Sequence, residues 1–252
     1  MASPVKGRGM SYIKPPIIEA ALGIRFDPKL DDDDLKKLID ALHKEYPQRQ
    51  DLQDFSWRQN PEEMQFELAH GGAKLTALDG VSVVLVARHE FATARLSPYE
   101  GWSAFAATAL RNLEIFRTTV GVRKTLHLGV RFINRIDVPN PQSEPVFMAD
   151  YVNVGLALPP TLSSAVFEQF GARVQMKLSD TVRVTLQAST IDDALIGHAS
   201  LLLDIDAVWA GEMPSSIASI SAALLDLQRA KNEVFEACIT DDARALFEVA
   251  PL

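Results

Sequence analysis

The chain has 252 residues, of which 47% are hydrophobic and 23% are charged, and its formal net charge is −8. This composition is typical of a folded globular protein and excludes a largely disordered chain. The excess of acidic residues opposes non-specific binding to nucleic acid and to anionic membranes, because both are negatively charged. The single cysteine, Cys238, excludes an internal disulfide. Since no run of about 18 apolar residues is present, we expect a soluble, cytoplasmic protein, and no motif predicts a cofactor.

The first half of the chain predicts a strand, a helix, four strands and a second helix. Ile18–Asp27 alternates apolar with polar residues, which is typical of a strand with one buried face. The aspartates at 31–34 precede an apolar helical pattern, and acidic residues stabilise a helix N-terminus. Asp79-Gly80 predicts a hairpin turn among four short strands. A long helix then follows, with an apolar stripe from Trp102 to Phe116.

The second half predicts a strand, a weak helix, three strands and two helices. The weak helix is expected at Ser143–Leu156, and the three strands are expected at 165–178, 181–190 and 199–208. The last long helix is expected at 215–238. The first strand, Lys124–Val138, is the longest. By period-two alternation, its buried face is expected to consist of Leu126, Leu128, Val130, Phe132, Ile136 and Val138.

A five-residue sequence motif occurs twice, as Leu22–Phe26 and as Leu128–Phe132, with four of its five residues identical. Each copy begins a similar series of elements, so the sequence predicts an internal duplication. We expect an α+β protein of two similar halves that form an internal pseudo-dimer, each half an antiparallel sheet covered by helices. The element order, β-α-β(3–4)-α, matches helix-grip and TATA-binding-protein-like folds. The predicted boundaries are a disordered leader or tag at 1–9 and halves at 10–122 and 123–252.

Five segments resemble a known family: Tyr12–Ala20, the strand containing Arg25-Phe26, Leu128–Ile136, Asp204–Asp206 and Asn232–Asp241. The chain is similar, nearly end to end, to an uncharacterised, sporadically distributed prokaryotic protein family of about this length. The resemblance implies no activity, cofactor or catalytic residue, because none is established for that family. Its patchy distribution is typical of accessory genes such as defence systems, which is an association rather than a mechanism.

The best candidate site is the outward face of the longest strand. His127, Arg131, Arg135 and Asp137 share that face, and Arg25 occupies the matching position of the first copy. Two guanidiniums and an imidazole in a row are suited to binding an anionic group or a partner. The alternative is a solvated strand face with ordinary cross-strand ion pairs.

Asn134 falls on the apolar face of the same strand, where an amide without hydrogen bonds is costly. We expect it to be hydrogen-bonded in a structural role, or to be rotated outward by a bulge, and we include Asn134 among the candidate ligand- or partner-binding residues.

Other candidates have a weaker basis. Asp204 and Asp206 share a strand face and are candidates for a cation site. His89 and Glu90 are adjacent in a strand, so they point to opposite faces and cannot act together. His70 and Cys238 have no grouped partners, and Cys238 is expected to be a small buried residue. The sequence therefore assigns no catalytic residue and no metal ligand.

Three functions remain open. The absence of a catalytic set favours a non-catalytic protein-interaction or accessory protein, part of a multi-protein system, whose partner is encoded nearby or is a second copy. The second is a small-ligand binder with a pocket between the curved sheet and a long helix, lined by Trp102, Phe105 and Phe116. The third is a metal-dependent hydrolase that uses Asp204, Asp206 or the histidines. Nucleic acid and membranes are not expected partners.

Overall fold

The computed structural model describes residues 12–59, 64–141, 146–155, 159, 161, 169–192 and 194–248, without the side chains of 54–70. The described residues form an α+β fold, which confirms the predicted class. The predicted leader at 1–9 lies outside them. The elements are β1 (Ile17–Asp27), α1 (Asp32–Leu42), β2 (Gln48–Gln59), β3 (Met64–Thr76), β4 (Ser82–Ala87), β5 (Glu90–Leu96), α2 (Trp102–Val120), β6 (Lys124–Pro139), β7 (Gly171–Lys177), β8 (Val182–Ile191), β9 (His198–Trp209), α3 (Ile217–Cys238) and α4 (Asp241–Leu246).

The chain forms two compact units that do not follow the chain order. The first unit contains Glu19–Val130 and Glu212–Leu224. The second unit contains Met1–Ile18, Arg131–Gly211 and Leu225–Leu252. Strand β6 contributes its first residues to the first unit and its remaining residues to the second.

In the first unit, the strands are hydrogen-bonded in the order β2-β3-β4-β5-β1-β6. The pairs β2–β3, β3–β4, β4–β5 and β1–β5 are antiparallel. Ala20, Leu22, Ile24 and Phe26 are buried on one face of β1, as the alternation predicts. The ring of Phe116 on α2 packs against Phe26, with the ring centroids 4.9 Å apart. Helices therefore cover the apolar face of this sheet.

Helix α1 begins where the acidic run predicts. The side chain of Asp31 is the N-cap and accepts a hydrogen bond of 2.8 Å from the backbone N–H of Asp34. Asp32, Asp33 and Asp34 occupy the first turn, where the helix dipole favours negative charge. The aspartates at 31–34 are thus explained by helix capping.

In the second unit, the strands follow the order β6-β9-β8-β7, and β8 is antiparallel to both β9 and β7. Val182, Val184, Leu186 and Ala188 are buried on one face of β8. The N-terminal segment is fixed to the residues that follow α4, because the backbone N–H groups of Ile13 and Lys14 donate to the carbonyls of Glu248 and Phe247. The ring of Tyr12 packs edge-on against Phe235 and Phe247.

Three details of the predicted elements differ. Leu126 was expected on the buried face of β6, but it is 53% exposed. The reason is a change of phase: Thr125 and Leu128 are both buried, so strict alternation begins only beyond them. Within the described part of 143–156, the structure has a single 3-10 turn at Met148–Asp150. Within the described part of the range 165–178, where one strand was expected, the strand begins at Gly171 and ends at Lys177.

Among the described residues, no helix combines the length and the apolar character needed to cross a lipid bilayer.

We expect Gly72→Ala to lower the free energy of unfolding by roughly 2–4 kcal/mol. Gly72 has φ +135°, and an added Cβ would lie 2.0 Å from the carbonyl oxygen of Val86 on the neighbouring strand. Gly171→Ala is the matched control, because nothing lies within 4 Å of its Cβ position. Urea unfolding of both variants measures the effect. Equal stabilities would contradict this account of Gly72.

Candidate functional site

The outward face of β6 carries an ion pair with its neighbour β9. Arg131 donates from Nε to both carboxylate oxygens of Asp204, at 3.0 and 3.2 Å, and from Nη2 to Oδ2 at 2.6 Å. The side chain of Asp204 is only 10% exposed, whereas that of Arg131 is 53% exposed. The buried carboxylate therefore fixes the orientation of a guanidinium that reaches the surface.

A second ion pair continues this polar row along β6. Arg135 donates from Nε to Oδ2 of Asp137 at 3.0 Å, and the hydroxyl of Ser200 on β9 donates to Oδ1 of Asp137 at 2.7 Å. Ser200 is itself buried. We call Arg131, Arg135, Asp137, Ser200 and Asp204 the Arg131 network.

Asn134 lies on the opposite, apolar face of β6 and is buried. Its Nδ2 donates to the carbonyl of Leu203 at 2.9 Å and to that of Phe132 at 3.3 Å. The expected hydrogen bonds are therefore present, and they tie β6 to β9. On the same strand, the backbone N–H of Arg135 donates to the carbonyl of Pro16 at 2.8 Å.

The other two predicted site residues lie in the first unit. Arg25 is exposed on β1, and the strand register places it opposite Glu90 on β5. His127 is partly buried near the start of β6. The structure thus places Arg131, Arg135 and Asp137 on one face of β6 in the second unit, in two ion pairs that share no residue.

Lys231 on α3 is a buried cation that the sequence reading missed. Its Nζ lies 4.0 Å from the centroid of the Phe132 ring, an arrangement that favours a cation–π interaction. Burial lowers the pKa of Lys231 to about 8, although the nearby Glu236 carboxylate raises it. One signal was available: Lys231 occupies a position of the apolar stripe of α3, between Leu227 and Val234.

The weaker candidates acquire simple explanations. Both oxygens of Asp204 accept from Arg131, so a guanidinium occupies the place considered for a cation. The part of the chain that the structure describes contains no group of three or more His, Cys, Asp or Glu residues arranged for a metal. Cys238 is buried, and burial raises the pKa of its thiol to about 11, which keeps it protonated at neutral pH. The side chain of His70 lies outside the described residues.

The aromatic residues considered for a ligand pocket pack within the first unit. Phe116 and Phe105 are buried, and Trp102 contacts Phe105 edge-on. A cavity of about 40 Å³ beside the start of α2 is lined by Ser82, Thr93, Arg95, Glu100 and Phe105, among others. Its volume is sufficient for water rather than for a drug-sized ligand.

The cation at this cavity is already neutralised. Arg95 donates to Asp79 and to Glu100, each at 2.7 Å. Partial burial would raise the pKa of Asp79, but hydrogen bonds from Ser82, Val81 and Arg95 outweigh it and lower this pKa to about 2. The two carboxylates neutralise the positive charge of Arg95, which an anionic ligand would need for binding.

Comparison of the chain with protein-family models and with curated proteins gives no match.

We expect Arg131→Met to destabilise the fold more than Asp204→Asn. Removal of Arg131 leaves a nearly buried carboxylate without its partner, at a cost of about 2–3 kcal/mol. Removal of the charge at Asp204 leaves a half-exposed guanidinium that water can solvate, at about 1 kcal/mol. Urea unfolding at neutral pH compares the variants, with the exposed pair Arg49–Asp51 as control through Arg49→Met. A smaller loss for Arg131→Met than for Asp204→Asn would contradict the assigned burial.

We expect Lys231→Met to raise the free energy of unfolding at pH 7 by about 1–2 kcal/mol. Because burial holds the folded-state pKa of Lys231 at about 8, below the ordinary lysine value of 10.5, its charge opposes folding at pH 7. The wild type recovers stability as the pH rises from about 8 to 10.5, since the folded state loses this proton first. The advantage of the variant should therefore shrink across that window.

The measurement for Lys231 is urea unfolding from pH 7 to 10.5, with Lys37→Met on the exposed face of α1 as the control. A pH-independent difference between Lys231→Met and the wild type would refute the depressed pKa.

Proposed function

We propose that this chain is a non-catalytic accessory or regulatory protein that binds another polypeptide through the Arg131 network. The main support for this proposal is the guanidinium of Arg131, whose orientation is fixed by the nearly buried carboxylate of Asp204. About half of the Arg131 side chain is nevertheless exposed. Arginine is enriched among the residues that dominate binding energy at protein interfaces. An arginine that is already ordered loses little conformational entropy on binding, which favours association.

The charges of the network support a polypeptide partner over a small anion. Arg131 is paired with Asp204 and Arg135 with Asp137, so each guanidinium is already balanced by a carboxylate. A small anion would have to compete with these internal carboxylates. A protein surface can instead contact the whole polar row, with donors and acceptors side by side.

We further infer that the halves 10–122 and 123–252 arose by duplication and form an internal pseudo-dimer of the TATA-binding-protein-like type. The supporting observation is that the first strand of each half neighbours the last strand of its own meander: β1 pairs with β5, and β6 lies beside β9. The arginine of the repeated five-residue motif lies opposite an acidic residue in both halves. Arg25 is opposite Glu90 in the register, and Arg131 binds Asp204.

We also propose that the chain belongs to the prokaryotic family that it resembles and that it acts in the cytoplasm. A shared accessory role would agree with the net charge of −8, which disfavours nucleic acid and anionic lipid as partners. The partner would then be another polypeptide, encoded nearby, or a second copy of the chain.

The test uses Arg131→Lys in the full chain. Lysine keeps the positive charge beside Asp204 but lacks the planar fork that binds both oxygens. The tagged wild type, Arg131→Lys and the exposed control Arg49→Lys are each purified from the encoding organism, and the bound chains are identified by mass spectrometry. We expect one partner to be retained by the wild type and the control and lost by Arg131→Lys.

Two results would count against the proposal. One is elution of the chain alone, as a monomer, under all conditions; the other is equal retention of the partner by all three proteins.

A further inference from the structure

Strand β7 is exposed to an unusual degree for part of a sheet. Among the strands that the structure describes, it is the last in the hydrogen-bonded order of the second unit. Five of its seven residues are exposed, on both faces of the strand, and the apolar side chain of Val174 is 49% exposed. Such an edge is a template for a further strand, because one row of its backbone N–H and C=O groups points away from the sheet.

The hydrogen bonds at the two ends of β7 identify that row. The N–H of Thr190 donates to the carbonyl of Phe170, and the N–H of Leu178 donates to the carbonyl of Val182. Between these pairs the antiparallel register is continuous, so Ala172, Val174 and Met176 bond to β8. The N–H and C=O groups of the alternate residues therefore point away from β8, to the side on which no described strand lies, which we call the free edge. They include those of Arg173, Gln175 and Lys177.

The charged side chains of β7 are all basic. Arg173 and Lys177 lie on the outward face of β7, and Arg183 on β8 lies directly opposite Lys177. The outward positions of β7 and β8 include no carboxylate; Lys177 reaches Asp180, an exposed residue of the connecting turn. In a chain of net charge −8, this edge is a local basic strip.

The same charges disfavour pairing with a second copy. In a symmetric antiparallel pair centred on Gln175, Arg173 of each copy would face Lys177 of the other. Like charges directly opposite each other destabilise a strand pair. Acidic residues at those two positions would instead form cross-strand ion pairs.

We propose that the free edge of β7 binds an extended acidic segment of another protein as an added antiparallel strand. The register specifies the segment: acidic residues opposite Arg173 and Lys177, a polar residue opposite Gln175, and apolar residues opposite Val174 and Met176. Backbone hydrogen bonds supply affinity and the alternating side chains supply specificity, as in other strand-addition interfaces. This surface is separate from the Arg131 network and does not depend on it.

The probe is the blocked peptide Thr-Glu-Val-Thr-Val-Glu-Thr, titrated against the full chain by fluorescence anisotropy. The comparison peptide has Lys in place of both Glu residues. We expect the wild type to bind the acidic peptide and to bind the basic peptide at least about tenfold more weakly. The double variant Arg173→Glu/Lys177→Glu should reverse this preference, which excludes loss of folding as the cause.

The backbone is tested with Gln175→Pro, because proline removes an N–H that points away from β8 and is tolerated on edge strands. Gln175→Ala is its matched control. We expect Gln175→Pro to abolish peptide binding with little change in melting temperature, while Gln175→Ala binds as the wild type does.

Three results would overturn the proposal: no binding by the wild type, an unchanged preference in the double variant, or equal binding by the two Gln175 variants. Hydrogen exchange gives an independent check. Amides of Arg173, Gln175 and Lys177 that are as protected as those of Val174 and Met176 in the unliganded monomer would show that the edge is already covered. A dimer that dissociates on Gln175→Pro would identify a second copy as the occupant. Arg131→Lys leaves this edge intact, so the two surfaces can fail separately.

Discussion

The constraint on which this structure depends is that a β-sheet has two faces and that, in each unit, helices cover one of them. In the first unit, Phe116 on α2 packs against the apolar face of β1. In the second unit, Lys231 on α3 lies over Phe132 on the apolar face of β6. The uncovered face must be compatible with water, and this requirement places Arg131, Arg135 and Asp137 of β6 in one row.

That row also specifies how β6 and β9 are aligned. A slip of one residue would turn Arg131 and Arg135 toward the helices and Phe132 toward water, so the charged row opposes every odd shift. Slips of two residues keep the faces but separate Arg131 from Asp204 and Asn134 from the carbonyl of Leu203. Buried polar groups with specific partners thus distinguish registers that the apolar pattern alone leaves equivalent.

What could be predicted from the sequence is what depends on neighbours in the chain. The alternation of β1 and the Asp31 cap of α1 are local, and both are present in the structure. The partner of Arg131 is 73 residues away, so it depends on which strands pair and in which register. Leu126 illustrates the same limit, because the phase of β6 changes before Leu128 for reasons that its local pattern does not contain. Lys231 was findable, since it interrupts an apolar helical stripe.

The acidic net charge and the basic strip on β7 act over different distances. At physiological ionic strength, charges separated by more than about 8 Å are largely screened. An acidic segment held at β7 therefore interacts mainly with Arg173, Lys177 and Arg183, and only weakly with the distant carboxylates that give the chain its charge of −8. At lower ionic strength, where screening is weaker, the same carboxylates repel approaching acidic chains in general. A segment must consequently match the strand register to be retained, because long-range attraction does not hold it at the surface.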